Sequence, residues 1–330
     1  MLENYGDAAC DFDIPRPSGY SLGMNYCRLF PVLAAFLLAA GLRAQTFRVA
    51  TYNVENYLDQ PTASRPEAKS ADARAKVRES IRALKPDVLA LEEMGSTNAL
   101  FELRASLKAE GLDFPYWEHI TGWDTNIHLA VLSRFPIVAR RPHTNDSFLL
   151  GGRRFRVGRG FVELDITVNS NYTFTLMAAH LKSRRPVPEA DESEQRFEEA
   201  RLLREKIDAR LAENPRANLV VLGDLNDAPN AASTKEIIGR GRGKLVDTRP
   251  AERNGDNLPN PVNPNWAPRS IAWTHYYGAE DSYSRIDYIL LSPGMAREWV
   301  PDQTCVLTIP NWGIGSDHRP LVATFEARDR

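Results

Sequence analysis

The sequence predicts a single α/β sandwich domain, and three observations carry that prediction. Short apolar or alternating stretches interleave with stretches of helical periodicity along the chain. No internal repeat, low-complexity block or Gly/Ser linker divides them after residue 44. The composition, 43% hydrophobic and 25% charged over 330 residues, is globular and excludes collagen-like, coiled-coil and disordered classes. A formal net charge of -2 advertises no polyanion partner, so a nucleic-acid role must come from a local patch.

The elements follow in order. From Met24 one positive charge (Arg28) precedes an apolar run from Leu29 to Leu42 and then Leu42-Arg43-Ala44. That order reads as a secretory signal peptide over 24–44, too short for a stable membrane span. Residues 1–23 carry Asp7, Asp11 and Asp13, the wrong charge for a leader, and read as a mis-called extension ahead of a start at Met24. The expected location is therefore secreted or periplasmic, with residues 45–330 forming the catalytic domain. Removing 1–44 takes Cys10 and Cys27 and leaves Cys305 alone, so the core and not a disulfide framework must stabilise the fold. Phe47 to Thr51 alternates as a strand. Residues 67–85 place Arg74, Val77, Ile81 and Leu84 on one helical face before Pro86, and Asp87 to Leu91 is a short apolar strand. A second helix over 97–110 ends at Gly111. Strands are expected at 128–133, 161–168 and 172–180. A long helix over 189–213 carries Phe197, Ala200, Leu203, Ile207 and Leu211. Leu219 to Leu222 is wholly apolar, hence buried on both faces. Residues 248–282 read as an irregular loop, and strands at 285–291 and 321–325 close the chain.

Polar residues gather where these strands end: Asn53, Glu92-Glu93, His180, Asp224-Leu225-Asn226-Asp227, Asp287 and Asp317-His318. Ligand sites of α/β sheets favour such ends. The donors are an amide, several carboxylates and two histidines. Hard oxygens suit Mg²⁺ or Mn²⁺, whereas the His/Cys spacing of a zinc site is absent. A divalent ion beside a His–carboxylate pair is what phosphoryl chemistry needs. Any one of these residues alone could be a turn or cap; together they point to a site. His119, His128, His143 and His275 lack such contexts and read as surface or core residues. Trp266, Trp273, Tyr276 and Tyr277 could form a stacking wall, although core packing is the simpler reading.

The stretches TYNVEN (51–56), PDVLALEEM (86–94), AAHLKS (178–183), VVLGDLND (220–227), SRIDYILLS (284–292) and GSDHRP (315–320) resemble, in order, the endonuclease/exonuclease/phosphatase superfamily with the pancreatic-deoxyribonuclease-like fold. The resemblance implies a four-layer α/β sandwich, two mixed sheets packed face to face with helices outside, and a site at one edge. It implies Mg²⁺ (with Mn²⁺ or Ca²⁺ as alternatives) on Asn53, Glu93 and Asp317. Glu92 stands where the family usually has Gln. His180 matches the histidine that contacts the scissile phosphate, Asp224 and Asn226 the pair that orients nucleophile and phosphate, and Asp287 the partner of His318. His318, with Asp224 as the alternative, would activate water for in-line attack.

The implied partner is a phosphoester substrate, nucleic acid among the candidates. Lys182, Arg184 and Arg185, and a second stretch of Arg153, Arg154, Arg156 and Arg159, could hold flanking phosphates or simply solvate a strand edge. The family also contains sphingomyelinases and inositol-polyphosphate phosphatases, but no aromatic-tipped apolar hairpin is evident for lipid. A silent binding module with the same fold is the reading of another class.

Overall fold

Side-chain alternation along the strands decides the architecture. A computed structural model of the protein describes residues 45–254, 261–266 and 270–328; the expected leader and extension lie outside the described residues. The first strands are β1 (Thr46–Tyr57), β2 (Val88–Met94), β3 (Tyr116–Ile120), β4 (His128–Ser133), β5 (Ile137–Arg140), β6 (Ser147–Leu150), β7 (Arg153–Arg156) and β8 (Phe161–Asn169). They continue as β9 (Tyr172–His180), β10 (Leu219–Asp224), β11 (Val246–Asp247), β12 (His275–Tyr277), β13 (Ser282–Ser284), β14 (Asp287–Leu291), β15 (Trp299–Val306) and β16 (Leu321–Glu326). The helices are α1 (Ala71–Leu84), α2 (Thr97–Ala109), α3 (Glu192–Glu213) and α4 (Ala232–Ile238).

One sheet runs β15-β16-β1-β2-β4-β3 and the other β11-β14-β10-β9-β8-β5. Both are mixed, because β1 pairs parallel with β2 and β9 parallel with β10 while their other neighbours are antiparallel. Phe47, Val49, Val88 and Ala90 of the first sheet meet Leu176, Ala178, Val220, Leu222 and Ile289 of the second in one buried core. The alternate residues Ala50, Tyr52, Leu89 and Leu91 pack instead against Val77, Ile81, Leu100 and Leu103 of α1 and α2. On the far side Met177, Ala179, Val221 and Leu290 pack against Ala200, Leu203 and Ile207 of α3. The result is the expected four layers, helix, sheet, sheet, helix. Leu219 to Leu222 is buried on both faces, as its unbroken apolar run requires.

Caps set the helix starts. Ser70 accepts from Ala73 N, Ser96 from Asn98 N and Ala99 N, and Asp191 from Ser193 N and Glu194 N. The stretch 248–282 is not wholly irregular: it contains β12, which pairs with β13. Sequence alternation misses this hairpin because it is short and largely exposed. The first strand runs six residues past Thr51, into the site. None of the described helices is long and apolar enough to cross a membrane.

Candidate active site at the polar end of the inter-sheet core

The inward-facing rows that build the central core end in polar residues. Along β1 the row is Phe47, Val49, Thr51, Asn53; along β9 it is Phe174, Leu176, Ala178, His180. Along β10 it is Val220, Leu222, Asp224, and along β14 it ends at Asp287. Register makes these ends neighbours, with Asp224 paired to His180 on one side and to Asp287 on the other. Asn53, His180, Asp224, Asp287 and His318 are all buried.

Asp224 is the hub. Its Oδ2 accepts from Asn53 Nδ2 at 3.1 Å and from Asn226 Nδ2 at 3.3 Å, and lies 3.5 Å from His180 Nε2 and 3.8 Å from His318 Nε2. Its Oδ1 accepts from Asn226 N at 2.8 Å. Burial and the neighbouring Asp287 push the Asp224 carboxyl up to about 7. His318 Nδ1 is 2.9 Å from Asp287 Oδ2, which also accepts from Thr274 Oγ1 at 2.6 Å. Burial alone would lower the His318 imidazole, but Asp287, Asp224 and Asp317 together hold it well above its ordinary range. His180 goes the other way: burial, then Arg159 and His318, keep it well below that range and neutral.

The first sheet reaches the site by breaking its alternation. Strict period two would turn Glu93 away from the core, but a left-handed backbone at φ 60° swings it back. Its Oε2 accepts from Asn56 N at 3.0 Å, and its Oε1 lies 3.4 Å from Asn53 Nδ2 and 4.0 Å from His180 Nε2. Glu92 stays on the inward row, fully buried, accepting from Thr51 Oγ1 at 2.7 Å. Burial, reinforced by Asp287 and Asp224, raises it to about 8. A carboxyl held at about 8 therefore fills the place that the sequence resemblance assigns to Gln. Asn53 Oδ1 accepts from Glu55 N at 3.0 Å, so in this arrangement the amide positions two carboxylates. Ser316 Oγ donates to Asn53 O at 2.7 Å and accepts from His318 N at 3.0 Å, tying the last loop to β1.

Three residues at the site carry no sequence signal. Glu55, at φ 42°, shares an electrostatic neighbourhood with Glu93 and Asp317 around the mostly buried Lys69. Thr274 is fully buried behind Asp287. His275, expected as a surface or core residue, stands with its ring centroid 4.6 Å from that of His318 and its Nε2 3.5 Å from Asp317 Oδ2. A β-bridge between His275 and His318 sets that contact, which no linear spacing reveals. Of the basic residues, Arg159 acts on His180 and donates to Leu181 O at 3.3 Å, and Arg184 donates to Asn226 O at 3.1 Å. Lys182 is turned onto its own loop through Ser183 O and Arg185 O. Arg153, Arg154 and Arg156 sit on the outer hairpin, Arg156 stacked 4.1 Å over Trp123. Trp273 is packed between Arg319, Tyr283 and Trp312, while Trp266 and Tyr277 are exposed.

With this geometry in place, the profile of the Endonuclease/Exonuclease/phosphatase family matches residues 50–318. The chain belongs to that family. It is accordingly a phosphoester hydrolase, and members of that family generally use divalent metal ions. No curated protein matches the sequence. Among solved structures it is similar to the human Nocturnin catalytic domain with bound sulfate anion (17% identity, 85% of this chain and 94% of that one, TM-score 0.57). It is also similar to truncated Caenorhabditis elegans TDP2 (17%, 86% and 98%, TM-score 0.56). Beta toxin 275-280 from Staphylococcus aureus is a third (18%, 84% and 99%, TM-score 0.59). At these identities the likeness shows the shared fold.

The donor set fits a hard cation. Glu55, Glu93 and Asp317 share one electrostatic neighbourhood with a single ammonium, Lys69, and burial followed by the Asp317 charge pushes Glu55 up. Such an excess of oxygen donors is what Mg²⁺ neutralises.

Proposed function

We propose that the protein is an exported, Mg²⁺-dependent phosphodiesterase, nucleic acid being the favoured substrate, that hydrolyses by in-line attack of water. The observation that carries this reading is the buried line Asp287, His318, Asp224 running to Glu93 through His180. Glu93 and Asp317 would hold the cation with Asn53 orienting them; when bound it neutralises charge on the phosphate oxygens. Asp224, raised toward neutrality, takes the proton of the attacking water, the role for which a pKa near the working pH is best. His318, kept cationic by Asp287, faces the developing charge, and His180 and Asn226 donate hydrogen bonds to the phosphate. This gives Asp224 the base role and His318 the electrostatic one.

Arg159 at the His180 edge and Arg184 beside Asn226 suit a substrate with flanking phosphates. The β12–β13 tip, Gly278-Ala279-Glu280-Asp281, is acidic, which disfavours lipid insertion and a sphingomyelinase reading. Export rests on the leader over 24–44, and amino-terminal sequencing of the exported chain is expected to begin near Gln45.

The test is nitrophenol release from bis-(p-nitrophenyl) phosphate with Mg²⁺, which EDTA abolishes and His318→Ala reduces by about 10²–10³-fold. DNA, RNA, sphingomyelin and inositol phosphates, each with Mg²⁺, Mn²⁺ and Ca²⁺, then rank the substrates. Preference for sphingomyelin or an inositol phosphate would replace the nuclease reading. Absence of metal-dependent turnover on every phosphoester would leave a binding module.

A further inference from the structure

The carboxylate of Asp317 faces two imidazoles. His275 Nε2 lies 3.5 Å from Asp317 Oδ2 and His318 Nε2 lies 3.8 Å from Asp317 Oδ1, too far for good hydrogen bonds. One ligand atom from each of the three residues falls within a 4.8 Å cluster. Ligands at 2.0–2.1 Å from a tetrahedral zinc ion stand about 3.4 Å apart, so the observed separations are near those of a shared ion. The remaining ring nitrogens are already engaged on the far side. His318 Nδ1 has Asp287 at 2.9 Å, and His275 Nδ1 has Ser284 Oγ at 3.4 Å. Both Nε2 atoms are thereby presented to Asp317, the outer-shell support that ligating histidines require. Asp317 is 40% exposed, which leaves an entry path and room for a water as fourth ligand. The linear spacing of histidines gave no hint of zinc, because the bridge between His275 and His318 joins residues 43 positions apart.

We propose that His275, Asp317 and His318 form a Zn²⁺ site at the mouth of the reaction centre, and that its occupancy stops hydrolysis by displacing the proton of His318 Nε2 to solvent and ligating that atom. The inhibition half rests on the function proposed above; the binding half does not. Imidazole with a single carboxylate selects a borderline ion, while Glu93 and Glu55 offer the oxygens that Mg²⁺ prefers, so zinc draws the shared Asp317 carboxylate away from the Mg²⁺ set and leaves that set its two glutamates.

The experiment titrates the full chain with Zn²⁺ against a chromophoric chelator, and with Co²⁺ followed by its visible absorption. One equivalent is expected. His275→Ala should weaken it by more than about 100-fold, beyond the usual cost of an outer-shell loss. Asp317→Asn serves as the second variant should His275→Ala fail to fold by circular dichroism, and Cys305→Ser should leave affinity unmoved. In turnover with Mg²⁺, micromolar Zn²⁺ should inhibit the parent, and His275→Ala should need at least 10-fold more. Zinc affinity that survives both substitutions overturns the site. Zinc bound through His275 in a chain that shows no Mg²⁺-dependent phosphodiesterase turnover keeps the site and sinks the proposed function instead.

Discussion

The two sheets contribute to the site in different ways. The second sheet delivers His180, Asp224 and Asp287 by plain register, as the next inward residues of three strands whose earlier inward residues are core. The first sheet delivers Glu55, Asn56 and Glu93 through left-handed backbone at φ 42°, 51° and 60°, where β1 and β2 lose their regular pairing. Such conformations cost of order 1–3 kcal/mol each and persist only where surrounding structure fixes them. The half proposed to handle protons is thus a buried continuation of the core. The half proposed to hold the cation sits on an irregular, partly exposed edge.

That contrast predicts a graded set of losses. Asp224→Asn, in the regular half, should lower turnover by about 10²–10⁴-fold, the usual worth of a positioned base. In the parent the rate should rise with pH through about 7, as Asp224 loses its proton, and the variant should lack that limb. Loss of rate with the limb intact would move the base elsewhere. Glu93→Gln, in the irregular half, should act on the cation instead, raising the Mg²⁺ needed for half-maximal turnover by more than about 100-fold, beyond the usual cost of an outer-shell loss. An unchanged Mg²⁺ requirement would break the division between the halves. Thr274→Val tests the support behind His318. Removing one hydrogen bond to a charged group, ~1.5 kcal/mol, should cut kcat about 10-fold with KM steady, and Thr274→Ser should restore it.

Legibility in the sequence divides along the same line. Wherever a site residue continues the apolar period of its strand, as His180 and Asp224 do, the pattern places it. Strand-end carboxylates and their order are likewise readable, and the long helices announce themselves through their buried faces, Val77 and Ile81, Leu203 and Ile207. What was not readable depends on contacts between distant segments. His275 lies in a stretch rich in Asn, Pro and Trp with no periodicity, and acquires meaning only when its bridge to His318 forms. Thr274 is an ordinary threonine until it closes over Asp287. The short strands β6, β7, β12 and β13 bury too little to leave an alternating signature. The adjacent glutamates are the sharpest case. Two identical residues meet opposite fates because the backbone turns between them, and composition contains no trace of a φ angle.

Those two glutamates also give the finest test, on stability instead of rate. Glu92 is held at about 8 by burial, above the ordinary 4.5 of the unfolded chain. Between those values the native state keeps a proton that the unfolded state has lost. Stability is therefore full below about pH 4.5, falls as pH rises toward 8 and levels off beyond. Glu92→Gln cannot ionise, so its melting temperature should match the parent near pH 4.5 and exceed it by several degrees at pH 8, at about 2–4 °C per kcal/mol. One Glu92 oxygen has no hydrogen-bond partner, so an amide there forfeits no bond that oxygen makes. Parallel melting curves for parent and Glu92→Gln across this range would mean that the buried carboxyl ionises in place, and that the Gln-like neutrality assigned to it is wrong.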